Sequence, residues 1–214
     1  MQPGLARGPL LELVRWTGWI WPLEVGALLI PVGMVGASPN VLLAHPSFAP
    51  RNLKELSAYT KANPDKVSYG SGGAGTSPHM SGELLKTLGI PMTHISYKGT
   101  GPALTDLLSG QTQLMMSTMG PSMPLIKSGQ VRPIAITSLK RSSLLPDTPT
   151  VAESLPGYEA VTWYAILVPA ATPKPVVEKL RAALDQVLAM SDMAAVIRAH
   201  PEYRAPAAMI AGPC

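Results

Sequence analysis

Residues 69–79 read Tyr69-Gly-Ser-Gly-Gly-Ala-Gly-Thr-Ser-Pro-His79, and an apolar, β-prone run, Val67–Tyr69, leads into them. The four glycines allow the backbone to approach a ligand closely and to adopt positive φ angles. Pro78 suits the first turn of a helix, where its missing N–H costs nothing. The start of such a helix presents free N–H groups and a partial positive charge. The stretch therefore predicts a strand–loop–helix unit whose loop binds an anion, either a carboxylate or a phosphate.

The glycine spacing also matches the dinucleotide-binding fingerprint G-x-G-x-x-G, through Gly70, Gly72 and Gly75. That fingerprint requires an acidic residue about 20 positions further on, at the end of the next strand, to hold the ribose. The next candidate strand, Thr93–Tyr97, is followed by Lys98 and not by a carboxylate. A dinucleotide site therefore lacks one functional element, and an NADP-binding oxidoreductase domain that uses this loop and Lys98 is kept as an alternative.

A phosphate loop is also incomplete, since Thr76 stands where that motif requires lysine. Besides the dinucleotide alternative, two interpretations are left for the segment: a turn without a ligand, and a loop that binds a small carboxylate. The second is favoured because three hydroxyl groups accompany the backbone N–H groups, namely those of Ser71, Thr76 and Ser77.

Composition excludes several classes of protein. At 214 residues the chain can form one large or two small domains, and its 46% hydrophobic and 14% charged residues predict a packed core. The net charge of +4 is spread along the chain without a basic patch, so nucleic-acid binding is unsupported. The single cysteine, Cys214, allows no internal disulfide or thiolate cluster. Because no G-x-S-x-G or H-E-x-x-H motif is present, we expect no catalytic residue, metal or cofactor.

The segment Val25–Ala44 carries no charge and is long enough to suggest a membrane span. Pro31, Pro39, three glycines, Ser38 and Asn40 would interrupt a spanning helix. We therefore predict two buried strands here, over Leu28–Val35 and Val41–Ala44.

Strand and helix patterns alternate along the rest of the chain, which predicts an α/β fold with a mainly parallel sheet. Further strands are predicted over Val67–Tyr69, Thr93–Tyr97, Leu114–Thr118 and Val131–Thr137. In such sheets ligands bind beyond the carboxyl ends of the strands. The loops after three strands should therefore converge on one cleft; they are Ser71–Thr76, Lys98–Gly101 and Thr118–Ser122.

The longest helix is predicted after Thr172-Pro173. Its apolar residues recur at helical spacing and are expected to face inward; they are Val176, Val177, Leu180, Leu184 and Val187. A last helical segment is predicted over Ser191–His200.

Several motifs in order give the chain a family resemblance. The glycine loop is followed by Ser81-Gly-Glu-Leu84, Tyr97-Lys-Gly-Thr-Gly-Pro-Ala-Leu-Thr-Asp-Leu-Leu108, Pro124-Leu-Ile-Lys-Ser-Gly129, Ile134-Ala-Ile-Thr-Ser-Leu-Lys-Arg-Ser142, Leu145-Pro-Asp-Thr-Pro-Thr-Val-Ala-Glu153 and Pro156-Gly-Tyr158. From about Ile30 to about His200 the chain resembles the Bug (TctC-like) family. These are extracytoplasmic solute-binding proteins of tripartite tricarboxylate transporters.

The resemblance implies a type II periplasmic-binding-protein-like fold, with two α/β lobes joined by crossing strands. Residues 46–158 would form the second lobe, while residues 1–45 and 159–214 would belong to the first. It also implies a monomeric periplasmic receptor, not an enzyme, that captures a small organic carboxylate. Its partners would be the membrane components of a tripartite transporter.

By this resemblance the glycine loop is the carboxylate loop. The expected ligand-binding residues are Ser71, Gly72, Gly73, Gly75, Thr76, Ser77, His79, Tyr97, Lys98, Gly99 and Thr118. For three of them a structural role is also open: His79 could instead be bonded locally, Lys98 could be a surface charge, and Tyr97 could simply pack. Many relatives carry an aspartate near Thr118 that can bind a ligand amine, so its absence implies plain carboxylates rather than amino acids.

Two departures from the family pattern concern the ends of the chain. Family members begin with a signal peptide, a proline- and glycine-rich loop and a second glycine-rich segment, and none of these precedes Ile30. Glu12 and Glu24 interrupt the apolar part that a signal peptide would need. Ala205–Cys214 does not resemble the family's closing helix. We therefore expect a chain truncated at both ends with an incomplete first lobe, and a non-binding remnant is a further alternative.

Overall fold

The computed structural model describes residues 28–193. The strands are β1 (Leu29–Ala44), β2 (Ser68–Ser71), β3 (Thr93–Ser96), β4 (Leu114–Thr118), β5 (Arg132–Ile136) and β6 (Val161–Pro169). The helices are α1 (Leu53–Ala62), α2 (Ser77–Thr87), α3 (Thr100–Leu108), α4 (Met119–Lys127), α5 (Val151–Ser154) and α6 (Lys174–Ala189). Helices thus alternate with strands along most of the described chain.

The strands form one mixed sheet in the order β3-β2-β4-β1-β5, and β6 also pairs with β1. Strand β2 is parallel to both β3 and β4, because helices α2 and α3 return the chain to the same end of the sheet. Strand β1 runs antiparallel to β4 and β5. The carboxyl ends of β2, β3 and β4 therefore lie at the same end of the sheet. The prediction of a mainly parallel sheet holds for these three strands and not for β1, which is antiparallel to β4 and β5.

The described chain divides into two compact units. The larger unit is Ser38–Thr162, and the smaller comprises residues 28–37 and 163–193. The chain passes from one unit to the other twice, between Ala37 and Ser38 inside β1 and between Thr162 and Trp163 inside β6.

The core of the larger unit lies on both faces of the sheet. Alternate residues of β1 point to opposite faces, so Leu42 belongs to one cluster while Val41 and Leu43 belong to another. The first cluster packs against residues of α1 and α2, including Leu56 and Leu85. The second packs against residues of α3. Helices cover both faces, which explains why the inner part of β1 reads as a continuous apolar run.

Strand β1 differs from the sequence prediction in two respects. It is a single strand of 16 residues and not two. Within Leu28–Val35 the predicted burial is wrong for most positions, since Leu28 is 65% exposed while Val32 is buried. Val41–Ala44 is fully buried, as predicted. Among residues 28–193, no helix has the length and apolar character needed to cross a bilayer.

Helix α6 is the longest helix among the described residues, as predicted, but its predicted inward face is too wide. Val176, Leu180 and Val187 are 46%, 41% and 44% exposed, whereas Val177 is buried. Helical periodicity groups apolar residues on one side, but it does not determine how much of that side a neighbouring element covers. The predicted helix over Ser191–His200 lies largely outside the described residues.

Candidate carboxylate site at the strand ends

The glycine segment forms the strand–loop–helix unit that its sequence predicts. Strand β2 ends at Ser71, and α2 begins at Ser77 with Thr76 as its N-cap. Gly73 and Gly75 have φ angles of 149° and 78°, a region that favours glycine. The Thr76 hydroxyl donates to the Gly73 carbonyl at 2.7 Å and accepts from the His79 N–H at 3.4 Å. Residues 74–76 are exposed, so the loop can meet a ligand.

The loop after β3 is joined to the glycine loop by two backbone hydrogen bonds. The Tyr97 N–H donates to the Ser71 carbonyl at 3.1 Å, and the Gly99 N–H donates to the Gly72 carbonyl at 3.0 Å. A Cβ on Gly72 would lie 3.2 Å from the Thr100 backbone nitrogen. Glycine at position 72 therefore lets the start of α3 come directly against the loop.

Three helices begin immediately beyond the carboxyl ends of neighbouring strands: α2 after β2, α3 after β3 and α4 after β4. The N-caps of α3 and α4, Gly99 and Thr118, make no side-chain capping hydrogen bond. Helix starts carry N–H groups without helical partners and a partial positive charge. The three loops thus lie at the same end of the sheet. Backbone donors at the starts of α3 and α4 are of the kind that suits an anion, and the convergence of the loops on one cleft stays a prediction.

The three hydroxyl groups predicted to support the loop each have a partner within the protein. Ser71 is buried, and its Oγ lies 2.7 Å from His94 Nε2. Thr76 bonds Gly73 as described, and Ser77 Oγ accepts from Asn40 Nδ2 at 2.9 Å. In this structure these hydroxyls fix the shape of the loop.

His79 and His94 form a pair beneath the loop. Their rings lie 4.0 Å apart between centroids with an interplanar angle of 36°. Nδ1 of His79 accepts from the Gly75 N–H at 3.0 Å, which is the local bonding kept open as an alternative for His79. Burial, and secondly His79, lower the pKa of His94, while Glu83 has a smaller opposing effect. His94 was missed by the sequence reasoning, because its partners lie on other elements.

Tyr97 packs beneath the loop and Lys98 faces solvent. The Tyr97 hydroxyl donates to Asp106 Oδ2 at 2.7 Å, and a Cβ on Gly70 would lie 3.1 Å from the Tyr97 ring. Burial and the bond to Asp106 raise the pKa of Tyr97 to about 12. Lys98 is exposed next to Gly99, which fits the alternative of a surface charge and leaves a role in attracting an anion untested.

Thr118 lies at the end of β4, opposite Asn40 of β1. Asn40 is fully buried, and its side-chain amide donates to Ser77 and Ser81 in the first two turns of α2. The sequence reasoning used Asn40 only as an argument against a membrane helix; a lone amide beside a buried apolar run was the available signal. Among residues 28–193, no group of three or more His, Cys, Asp or Glu side chains could hold a metal ion.

A family model described as "Tripartite tricarboxylate transporter family receptor" matches residues 23–201. The chain belongs to this receptor family. A relative named "UPF0065 protein in tcbD-tcbE intergenic region", from Pseudomonas sp. (strain P51), is 33% identical over 180 residues, which are 83% of this chain and 54% of the relative. The chain therefore spans about half the length of that relative.

Solved structures of similar proteins agree with the fold. The periplasmic binding protein BugD is 38% identical with a TM-score of 0.73, over 83% of this chain and 60% of BugD. R. palustris Rpa4515, solved with adipate, is 30% identical with a TM-score of 0.75, over 86% of this chain and 63% of Rpa4515. MatC (Rpa3494) from Rhodopseudomonas palustris, solved with malate, is 33% identical with a TM-score of 0.70, over 77% of this chain and 56% of MatC.

These similarities confirm the resemblance to the Bug family and the α/β periplasmic-binding-protein fold. The family model describes a receptor, and BugD is a periplasmic binding protein, so the alternative of an NADP-binding oxidoreductase is not favoured.

Proposed function

We propose that this chain is the solute-binding receptor of a tripartite tricarboxylate-type transporter and that it holds a small dicarboxylate without transforming it. Two observations support this ligand class: the chemistry of the backbone donors and the ligands found in related proteins. Backbone N–H groups at helix starts suit carboxylate oxygens, and two related receptors were solved with malate and adipate.

The observation that carries the proposal is the contact between the glycine loop and the start of α3. This contact lies next to β4, the strand that leads into α4. Gly99 N–H is bonded to the loop, and α3 and α4 begin without side-chain caps. We propose that the ligand contacts this surface, with Lys98 drawing it in electrostatically. The proposed binding residues are Ser71, Gly72, Gly73, Gly75, Thr76, Ser77, His79, Tyr97, Lys98, Gly99 and Thr118.

The organisation proposed for the whole receptor follows the family. The unit Ser38–Thr162 would be the lobe that carries the carboxylate loop, and the smaller unit would belong to the other lobe. The receptor would act in the periplasm as a monomer and would deliver its ligand to the membrane components of the transporter. Ligand binding would favour a closed conformation that these components recognise.

Titration calorimetry on the full chain tests the proposal. Malate, adipate and citrate are titrated in turn, with dimethyl adipate as the control that keeps the carbon skeleton but removes both charges. We expect saturable binding of at least one acid and none of the diester. If no acid binds, or if the diester binds as well as adipate, the proposal is wrong. A parallel titration with NADPH, followed by fluorescence, would detect the oxidoreductase alternative.

A comparison of malate with aspartate tests the preference for plain carboxylates. The two molecules differ in one group, since the hydroxyl of malate is an ammonium in aspartate. Positions 117 and 118 are serine and threonine, and Ser117 is buried. We expect tighter binding of malate, because no carboxylate at these positions offsets the desolvation of the ammonium group. Tighter binding of aspartate would contradict this expectation.

A further inference from the structure

Asn40 is a fully buried amide whose side chain bonds three residues on two other elements. Its Nδ2 donates to Ser77 Oγ and to Ser81 Oγ, both at 2.9 Å, in the first turns of α2. Its Oδ1 accepts from the Thr162 hydroxyl of β6 at 2.8 Å. The side chain thus uses both amide hydrogens and its oxygen.

The backbone of Asn40 forms hydrogen bonds with Thr137, the residue that follows β5. Its N–H donates to Thr137 Oγ1 at 2.7 Å, and its carbonyl accepts from the Thr137 N–H at 2.9 Å and hydroxyl at 3.1 Å. A buried polar group that loses its partners is costly, so a network with every member satisfied holds one arrangement strongly. Four segments of the larger unit are therefore fixed relative to one another at this residue.

The position of these partners along the chain gives the network its significance. Ser77 is the first residue of α2, directly after the glycine loop. Thr162 is the last residue of the larger unit, and Asn40 is the third residue after the chain enters it. One side chain therefore links the loop to both segments through which the chain passes between its two units.

We propose that Asn40 is a positioning residue that couples the conformation of the glycine loop to the conformation of the two crossing segments. A ligand that favours one arrangement of the first turn of α2 would thereby favour one arrangement of β1 and β6 at the crossing points. The ligand-dependent part of this inference rests on the proposed function. The coupling itself exists without a ligand and is tested without one.

Thr162→Val is the decisive variant, because the Thr162 hydroxyl donates to Asn40 and not to the loop, and its replacement leaves Asn40 in place. Amide hydrogen exchange of the full chain is followed in peptides covering residues 72–82. Loss of the Thr162 hydroxyl leaves the Asn40 oxygen unpaired, so we expect exchange in these peptides to be about tenfold faster. Thr162→Ser retains the hydroxyl and should restore the exchange rate of the unchanged protein.

Thr60→Val is the matched control. Thr60 is also buried in the larger unit, and its hydroxyl bonds Ser57 within α1 and not the network. This variant should leave exchange in residues 72–82 unchanged. If Thr162→Val leaves those residues unchanged, or accelerates α1 and residues 72–82 equally, Asn40 does not couple the segments and the inference is overturned.

Coupling is reciprocal, which provides a second ligand-free measurement. Ser77→Ala removes one acceptor of the Asn40 amide at the loop end. We expect faster exchange in peptides covering residues 38–42 and 158–162, again by about tenfold. Unchanged exchange there would overturn the inference. Since neither measurement uses a ligand, failed titrations with malate and adipate would overturn the proposed function and leave this test decisive.

Discussion

At the scale of single residues, glycine is required at different positions of the site for different reasons. Gly72 is needed for space, because a Cβ would press on the backbone of Thr100. Gly75 is needed for its φ of 78°, and a Cβ there would meet no atom within 4 Å. The same residue type therefore serves a close approach in one place and a backbone conformation in the other.

Replacement of Gly75 by alanine tests the second requirement, with Gly89→Ala as the matched control. Gly89 has a φ of 92° and an equally open surrounding, but it follows α2 at the end remote from the loop. Each variant should lose about 1 kcal/mol of unfolding free energy from backbone strain. We expect weaker malate or adipate binding in Gly75→Ala alone. Urea denaturation and calorimetry measure the two effects, and equal affinity in both variants would contradict a role of Gly75 in binding.

Replacement of Gly82 by alanine tests the packing beneath the loop. A Cβ on Gly82 would overlap the ring of Tyr69, whose hydroxyl donates to Glu83 Oε1 at 2.9 Å. We expect Gly82→Ala to reduce the unfolding free energy by about 2 kcal/mol, because the buried ring cannot move without strain. Gly101→Ala, in α3 with open space around it, should be neutral or stabilising by about 0.5 kcal/mol. Urea denaturation distinguishes them, and a stable Gly82→Ala protein would refute the packing argument.

The lowered pKa of His94 predicts a pH dependence of stability. Because the unfolded chain takes up a proton near pH 6.5 while folded His94 resists it, stability should fall as the pH drops below about 6.5 and level off beneath the lowered pKa. Urea midpoints between about pH 7.5 and pH 5 measure this slope. His94→Gln should flatten it, and His45→Gln controls for the general effect of the substitution. A slope unchanged in His94→Gln would contradict the prediction.

At the scale of elements, the start of α4 has the geometry of an N-cap without the corresponding hydrogen bond. Thr118 has extended φ and ψ angles of −66° and 152°, and its side chain caps nothing. An aspartate there can bond the first N–H groups of the helix and complement its dipole. A carboxylate supplied by the protein would then occupy the donors that we assign to the ligand.

Thr118→Asp is therefore expected to stabilise the fold by about 0.5 kcal/mol and to weaken malate binding about tenfold. Thr118→Asn is the control, since it can cap the helix in the same way without a negative charge. Its malate affinity should fall less than that of Thr118→Asp. Thermal unfolding and calorimetry measure the two quantities. Unchanged malate affinity in Thr118→Asp would place the ligand away from α4.

Local sequence signals predicted the elements of the site well. The strand–loop–helix unit at residues 69–79 depends on glycine, a capping threonine and a proline that are adjacent in the chain. The partners of the buried groups could not be predicted in this way. The side chain of Asn40 forms hydrogen bonds with residues that lie 37, 41 and 122 positions further along the chain. His94 forms a hydrogen bond with Ser71 on a neighbouring strand. Such contacts follow from topology and not from periodicity.

At the scale of the whole molecule, the family resemblance predicted the fold class, while the exposed side of α6 was not anticipated. Val177 and Leu184 lie seven residues apart on one face; Val177 is buried, and a Cβ on Gly33 would lie 2.7 Å from Leu184 Cδ2. The apolar residues of α6 cover a wider part of its surface than this narrow contact buries. Sequence indicates which residues can be buried, and the neighbouring elements determine which of them are.

The main-chain donors that we propose for the ligand affect how such a receptor can be dissected and how it can diverge. Alanine scanning retains every peptide N–H, so it would report little of the attraction between loop and carboxylate. Amide-to-ester replacement, introduced by semisynthesis one bond at a time, would expose it. For the same reason, the side chains around the loop can drift during evolution, altering which acid is preferred, while the capacity to hold a negative charge is inherited with the backbone.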